Sequence, residues 1–260
     1  MCLPPFHHAR ELRFQLNLSG PVDPWEVADR LQIKVSEEPL DADGYLLQRN
    51  NNTRILISKE IDYEPRKRFT IAHEIGHFYI PHHQAEIFRC LPKDLQSFRT
   101  NKKIENEANE FAAEFFLPAV EVEKYLKHPP DFNLIKEVSG VYGTSLAATA
   151  IKIIELTYEK AAVILSEEGE VKWFAKSKSF PYWINKDKLH EWTYAYDYFV
   201  QGTLAVSGLQ QLPAVAWCQG APKDVVIVEE SVAFERLGMV LSLLRIPISE
   251  TEDNLDDNFI

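Results

Sequence analysis

The feature that most constrains this chain is a helical segment that carries two histidines one turn apart. The segment from Tyr63 to Ile80 is predicted to be a helix, because Pro65 suits a first turn, where its missing N–H costs nothing. Pro81 ends the helix, since its ring would clash with the carbonyl of His77. Inside the helix stands the run His73-Glu74-Ile75-Gly76-His77. Its two imidazoles share one helix face, so both can reach a single metal ion.

The acid within this run has the position of a general base. Glu74 lies one residue past the first histidine, where a carboxylate can contact a metal-bound water instead of the ion. The alternative is a surface helix that carries two histidines and an acid by chance. Gly76 either lets another backbone approach or is simply tolerated, at about 1 kcal/mol relative to alanine. Helical spacing favours burial of four apolar residues, which are Phe69, Ala72, Ile75 and Phe78.

A catalytic zinc site needs a third protein ligand and an open fourth position. The next helical run, Ile104 to Pro118, is the best source, with Glu105 as the first choice and Glu107 as the second. Asn109 lies four residues after Glu105 on the same edge and could orient a ligand. A solvated helix face is expected for the other glutamates of the run, which are Glu107, Glu110 and Glu114.

Two motifs resemble the ImmA/IrrE family of metallopeptidases. The first is Arg68-Phe69-Thr70-Ile71-Ala72-His73-Glu74-Ile75-Gly76-His77, and the second is Glu105-x-x-Ala108-Asn109-x-Phe111-Ala112-Ala113-x-x-x-Leu117-Pro118. Residues 21–31 resemble the family's entry helix, and residues 44–47 and 54–57 resemble its strand pair. The resemblance spans roughly residues 20 to 120, under half of the chain.

The resemblance implies a compact gluzincin-like fold in which two histidines and a downstream glutamate hold zinc. It therefore implies His73, His77 and Glu105 as Zn²⁺ ligands, Glu74 as the base and Asn109 as the residue that orients a ligand. It also implies a protein substrate, a helix-turn-helix transcriptional repressor, and hence a regulatory cut. The identity of the metal stays open, because manganese, iron or cobalt would also suit two histidines and a glutamate.

Together these features predict a zinc-dependent endopeptidase that uses a metal-activated water and a glutamate base. One alternative is a regulatory protein that binds a repressor without cutting it, although a purely structural zinc site would usually be closed by a fourth His or Cys. Another is a DNA-binding regulator built on residues 131–158. Four residues are candidates for stabilising the oxyanion, namely Tyr79, His82, Tyr125 and His128.

Composition and charge limit the compartment and the partners. No run approaches the roughly 18 apolar residues of a membrane span, and the N-terminus lacks a secretory signal pattern. The cysteines Cys2, Cys90 and Cys218 have no metal-type spacing, so we expect reduced thiols in a cytoplasmic protein. The net charge of −11 makes DNA an unfavourable partner, because DNA binding requires a basic patch.

We expect an α+β chain of four parts. These are a zincin-like metallopeptidase domain over residues 1–128, a helix-turn-helix-like unit over 129–159, an α+β domain over 160–248 and an acidic, disordered tail over 249–260.

The peptidase domain should hold a three-stranded sheet beside its active-site helices. Ile33 to Glu37 reads as one strand, and Asp43 to Gln48 and Thr53 to Ser58 read as a hairpin. The strand from Thr53 to Ser58 is either a sheet edge that binds substrate in extended form or an ordinary sheet edge.

The helix-turn-helix-like unit should have Thr144 or Ser145 capping its second helix. That helix offers only Lys152 as a basic residue, which favours structural or protein-docking use over DNA reading.

For residues 160–248 the resemblance implies a GAF-like sensor domain with an unnamed small-molecule ligand. Four of its tryptophans, Trp173, Trp183, Trp192 and Trp217, could line a pocket, but core packing explains aromatics more often. The expected strands cover 161–165, 171–175 and 225–228, and the expected helices cover 189–200 and 234–244.

Overall fold

The computed structural model describes residues 3–49, 52–85, 87–90, 103–204 and 208–247. Contacts divide the chain into two units, of which the first is Met1–Tyr125 with Glu137–Thr149 and the second is Leu126–Lys136 with Ala150–Ile260. The expected acidic tail lies outside the described residues. Among the described residues, no helix has both the length and the apolar character needed to cross a bilayer.

The first unit is a small mixed sheet covered by helices. Its elements are α1 (Pro5–Gln15), α2 (Pro24–Arg30), β1 (Lys34–Glu38), β2 (Gly44–Arg49), β3 (Asn52–Ser58), α3 (Glu64–Tyr79), β4 (Ile87–Cys90), α4 (Lys103–Phe116) and α5 (Ala119–Val122). The sheet order is β1-β3-β2-β4. Strand β1 runs parallel to β3, and the other pairs are antiparallel.

The two helices that carry the motifs lie where the sequence predicts them. Helix α3 has Tyr63 as its N-cap and Pro65 in its first turn, and its last bond runs from the Ile80 N–H to the Gly76 carbonyl over 2.9 Å before Pro81. Fully buried side chains of the strands, of α3 and of α4 form the core of this unit, among them Leu46, Ile55, Ile57, Ile71, Ile75, Phe111 and Phe115.

The sheet differs from the prediction in two respects. It has four strands, because Ile87–Cys90 pairs antiparallel with β2; four residues at the end of a loop give too short an alternation to detect in sequence. The hypothesis that Thr53 to Ser58 forms a sheet edge is wrong, since β3 lies between β1 and β2. The edges among the described residues are β1 and β4.

Helix α1, which was not anticipated, changes the environment of one glutamate on α4. Glu114 was expected on a solvated face, yet it is buried. The Nε of Arg10 on α1 donates to Glu114 Oε1 at 2.7 Å, and the Ala119 N–H donates to the same oxygen at 3.2 Å. A buried carboxylate is tolerated here because it is paired and hydrogen-bonded.

The predicted helix pair consists of α6 (Phe132–Tyr142) and α7 (Leu146–Leu156). Ser145 caps α7, accepting from the Ala148 N–H at 3.1 Å, while the Thr144 hydroxyl bonds to that of Thr149 at 2.7 Å. The division between the two units falls inside both helices. That residues 129–159 act as a helix-turn-helix module stays a prediction.

The second unit is built on an antiparallel sheet. Its elements after α7 are β5 (Ala161–Glu167), β6 (Glu170–Lys176), β7 (Trp183–Ile184), α8 (Tyr194–Gln201), β8 (Gln210–Pro213), β9 (Cys218–Gln219), β10 (Val226–Phe234) and β11 (Met239–Arg245). Five strands follow the order β6-β5-β11-β10-β8, and β7 pairs with β9. A mixed α+β architecture is therefore confirmed, while the GAF-like assignment stays a prediction.

One element of the second unit was predicted wrongly. The segment from Phe234 to Leu244 was expected to be a helix, but β11 is a strand that pairs with β10 on one side and β5 on the other. Gly238 turns the chain between β10 and β11 with a φ of +63°. Because β11 is buried on both faces, its short apolar run cannot be distinguished from a buried helix by periodicity.

Candidate metal centre

Helices α3 and α4 bring three donor atoms together. His73 Nε2 lies 3.1 Å from His77 Nε2 and 3.2 Å from Glu105 Oε2, and His77 Nε2 lies 3.5 Å from that same oxygen. Ligands about 2.0–2.1 Å from a tetrahedral zinc are separated by about 3.3 Å along each edge. The three measured distances bracket that value, and all three residues are buried. The donor set therefore fits one ion of zinc size.

A hydrogen bond to a residue of α4 fixes the orientation of the His73 ring. Its Nδ1 lies 2.8 Å from Asn109 Oδ1, and Asn109 is itself buried. Because an amide oxygen only accepts, the proton of His73 is held at Nδ1 and the lone pair of Nε2 is directed at the other donors. Asn109 thus lies where the sequence argument expects it.

His77 is supported by a residue that the sequence argument missed. Its Nδ1 lies 3.0 Å from His83 Nδ1, and its ring stacks on Phe88 of β4 with centroids 4.2 Å apart. His83 Nε2 lies 2.9 Å from Glu107 Oε2. Glu107, the second choice for a ligand, therefore contacts His83 and His82 rather than the two motif histidines. The available signal was the histidine doublet His82-His83, five and six residues after His77.

Glu74 is enclosed but has no hydrogen-bond partner. The residue is fully buried, and neither carboxylate oxygen is hydrogen-bonded within the described part of the chain. Burial raises the pKa of Glu74 well above its usual range, and the nearby charge of Glu105 adds to the effect. An unsatisfied buried carboxylate beside three metal donors is the arrangement expected of a group that handles protons.

The protonation states of the donors suit a metal. Burial lowers the pKa of His77 to about 4, so its imidazole is neutral at neutral pH and keeps a lone pair for an ion. Burial alone would raise the pKa of Glu105, but its close contacts with the rings of His73 and His77 outweigh that effect and hold the pKa below its usual range.

Two glycines give the site its close packing. A Cβ on Gly44 of β2 would lie 2.6 Å from Thr70 Cγ2 and 3.1 Å from Glu74 Oε1, so glycine lets the strand approach the base. A Cβ on Gly76 would lie 3.0 Å from the Phe111 ring. Gly76 thus makes room for a side chain of α4, not for a backbone.

The candidate oxyanion donors are dispersed. The Tyr79 hydroxyl donates to Gln15 Oε1 at 2.9 Å, His82 contacts Glu107, and the Tyr125 ring packs edge-on against Tyr142. His128 belongs to the second unit. Among the described residues, neither Tyr79 nor Tyr125 is hydrogen-bonded to the three donors, so the oxyanion role stays a prediction.

A protein-family model matches this chain, whereas comparison with curated proteins gives no match. The matching model is that of peptidase family M78, the IrrE N-terminal-like domain, over residues 28–153. This segment contains the four-stranded sheet, both motif helices and every donor of the metal centre. The match supports an ImmA/IrrE-family metallopeptidase domain over residues 28–153.

Proposed function

We propose that this chain is a zinc-dependent endopeptidase that makes a regulatory cut in another protein. The observation that carries the proposal is the tetrahedral spacing of His73 Nε2, His77 Nε2 and Glu105 Oε2, with the unpartnered carboxyl of Glu74 beside them. These three donors would hold zinc and leave a fourth position open. When bound, zinc supplies the Lewis acidity that polarises a scissile carbonyl and lowers the pKa of water.

Glu74 would carry the proton during hydrolysis. Its carboxylate would act as a general base and take the proton of the attacking water. The same carboxyl can then give that proton to the leaving amine. Because neither oxygen is hydrogen-bonded to another described residue, both are available for these transfers.

The outer edge of β4 is the best candidate for holding the substrate. Phe88 of this strand stacks on His77, and β2 is the only strand paired with β4 within the described ranges. Ile87 on the same strand is exposed. An extended polypeptide that adds to this edge would be bound mainly through its main chain, which tolerates many sequences.

The identity of the substrate rests on the resemblance to the family. We infer a helix-turn-helix transcriptional repressor, and for residues 129–159 a docking role, because Lys152 is the only basic residue of α7. No ligand chemistry for the second unit follows from its fold. The main alternative is a protein that binds a repressor without cutting it.

The deciding experiment compares wild type with Glu74→Gln. Both proteins, loaded with Zn²⁺, are incubated with purified helix-turn-helix repressors and with unfolded casein, and fragments are identified by mass spectrometry. We expect one or a few cuts in a repressor, little digestion of casein, and a rate for the variant about 10²–10⁴-fold lower. Both proteins should contain one zinc. Cleavage by the variant at the wild-type rate would exclude Glu74 as the base, and stable binding without fragments would favour the alternative.

A further inference from the structure

A second cluster of titratable side chains lies directly behind the metal donors. It consists of His82, His83 and Glu107, whose ligand atoms all lie within 4.8 Å of one another. Its link to the metal centre is the 3.0 Å contact between His77 Nδ1 and His83 Nδ1. Both of these rings are buried, so the contact is not mediated by bulk water.

Counting protons fixes the direction of this contact. If His77 binds a metal through Nε2, its neutral ring carries its proton at Nδ1 and must donate it. His83 then accepts at Nδ1 and carries its own proton at Nε2. That nitrogen lies 2.9 Å from Glu107 Oε2, and a carboxylate only accepts. Every proton in the chain from His77 to Glu107 thus has one donor and one acceptor.

The distances favour hydrogen bonds over a second metal in this cluster. The donors of the metal centre are 3.1–3.5 Å apart, as an ion between them requires. The contact between His83 and Glu107 instead has the length of a charge-assisted hydrogen bond, and that between His82 and Glu107 is shorter still. A cation on His83 Nε2 would also displace the only proton that ring has left.

We propose that His83 is a positioning residue for the metal ligand His77, and that Glu107 holds His83 in the tautomer this role requires. The inference rests on the metal centre proposed above. The two ligand histidines then differ in the hydrogen bond that each Nδ1–H makes. His73 donates to the neutral amide of Asn109, whereas His77 donates to an imidazole that is itself bonded to the carboxylate of Glu107. Hydrogen bonding that ends on a carboxylate raises the basicity of a ligand imidazole, so His77 is the more strongly donating of the two.

Metal affinity tests this role without needing a substrate. Zn²⁺ affinity is measured by chelator competition on the full chain for three variants. His83→Phe keeps the ring without its nitrogens and should weaken binding about 10–100-fold. His83→Asn keeps an acceptor, as Asn109 does for His73, and should restore most of the affinity. His82→Phe is the matched control, since it also removes a contact with Glu107 but leaves the contact between His77 and His83 in place, and it should bind zinc like wild type.

The results separate the possible failures. Wild-type affinity in a folded His83→Phe protein, shown by an unchanged near-ultraviolet circular dichroism spectrum, would overturn the positioning role. If His77→Phe also binds zinc normally, the metal centre itself is wrong. If wild type binds a second zinc ion that both His82→Phe and His83→Phe lose, the cluster is itself a metal site and the positioning role of His83 is refuted.

Nuclear magnetic resonance of the histidine nitrogens supplies the readout that a purely structural role would not give. In the zinc-loaded protein we expect His83 as the Nε2–H tautomer and His77 as the Nδ1–H tautomer. An Nδ1–H tautomer of His83 in that sample would contradict the proposed direction of the hydrogen bonds.

Discussion

Two glutamates, one in each unit, are equally buried but have opposite hydrogen-bonding environments. Glu74 and Glu229 are both fully buried, and burial raises the pKa of each. Glu229 accepts hydrogen bonds from the N–H groups of Tyr194 and Ala195, from Trp217 Nε1 at 2.7 Å and from Ser231 Oγ at 2.8 Å. Glu74 accepts none within the described residues. Burial and a raised pKa are therefore common to both carboxyls, and it is the lack of hydrogen-bond partners within the described residues that makes Glu74 the candidate for proton transfer.

The physical reason lies in what each carboxyl does for its unit. Glu229 satisfies the first N–H groups of α8 and the buried indole of Trp217, so it joins β10 to the helix and to the core. Trp217 is accordingly a core residue and not the wall of a pocket, whereas Trp183 and Trp192 are exposed. Glu74 stabilises nothing comparable. Both of its oxygens lack a hydrogen bond within the described ranges, and such unsatisfied buried atoms lower the stability of the first unit.

Substituting leucine for each glutamate should give the largest contrast. Glu229→Leu leaves buried donors without acceptors, at about 1–3 kcal/mol each, so the unfolding free energy should fall by several kcal/mol. Glu74→Leu removes unsatisfied atoms, so the metal-free protein should be as stable as wild type or more stable. Urea unfolding followed by circular dichroism measures both. A loss of stability for Glu74→Leu that equals the loss for Glu229→Leu would remove the distinction.

A smaller effect is expected from the packing around Glu74. Gly44→Ala places a Cβ against Thr70 and the Glu74 carboxyl, so it should destabilise the first unit by about 1–3 kcal/mol and slow any cleavage. The control is Gly140→Ala in α6, where nothing lies within 4 Å of the added carbon. That change should be neutral or stabilise by about 0.5–1 kcal/mol. Equal effects of the two substitutions would show that Gly44 is not required for close approach.

The smallest expected effect is a pH dependence from Glu229. Its pKa is higher in the folded than in the unfolded chain, where a glutamate titrates near about 4.3. The folded state therefore holds the proton to higher pH, and stability from this group is full below about pH 4.3 and falls as pH rises through the folded pKa. Comparing unfolding free energies of wild type and Glu229→Gln across this range isolates the slope. If the unfolding free energy of wild type instead increases relative to that of Glu229→Gln as pH rises, the predicted raised pKa of Glu229 is contradicted.

The candidate metal centre could be predicted from the sequence because the spacing of its donors along each helix is a local property. Spacing of four along a helix places His73 and His77 on one face whatever surrounds it, and Pro65 and Pro81 define that helix. Glu105 and Asn109 follow the same rule on the next helix, so only the meeting of α3 and α4 had to be assumed. The outline of the hairpin and of β5 was equally accessible, because alternation and turn residues are local signals.

Only the tertiary structure decided which strands lie at the sheet edges, that β11 is a strand, and that Glu114 is buried against Arg10. It also decided that His83 and Glu107 support His77, and that Glu229 has hydrogen-bond partners while Glu74 has none among the described residues. Each of these depends on groups distant in sequence, and no periodicity records such contacts. The sequence alone therefore determined which atoms could bind a metal, whereas the packing determined how those atoms are held and which buried acid has no hydrogen-bond partner in the described part of the chain.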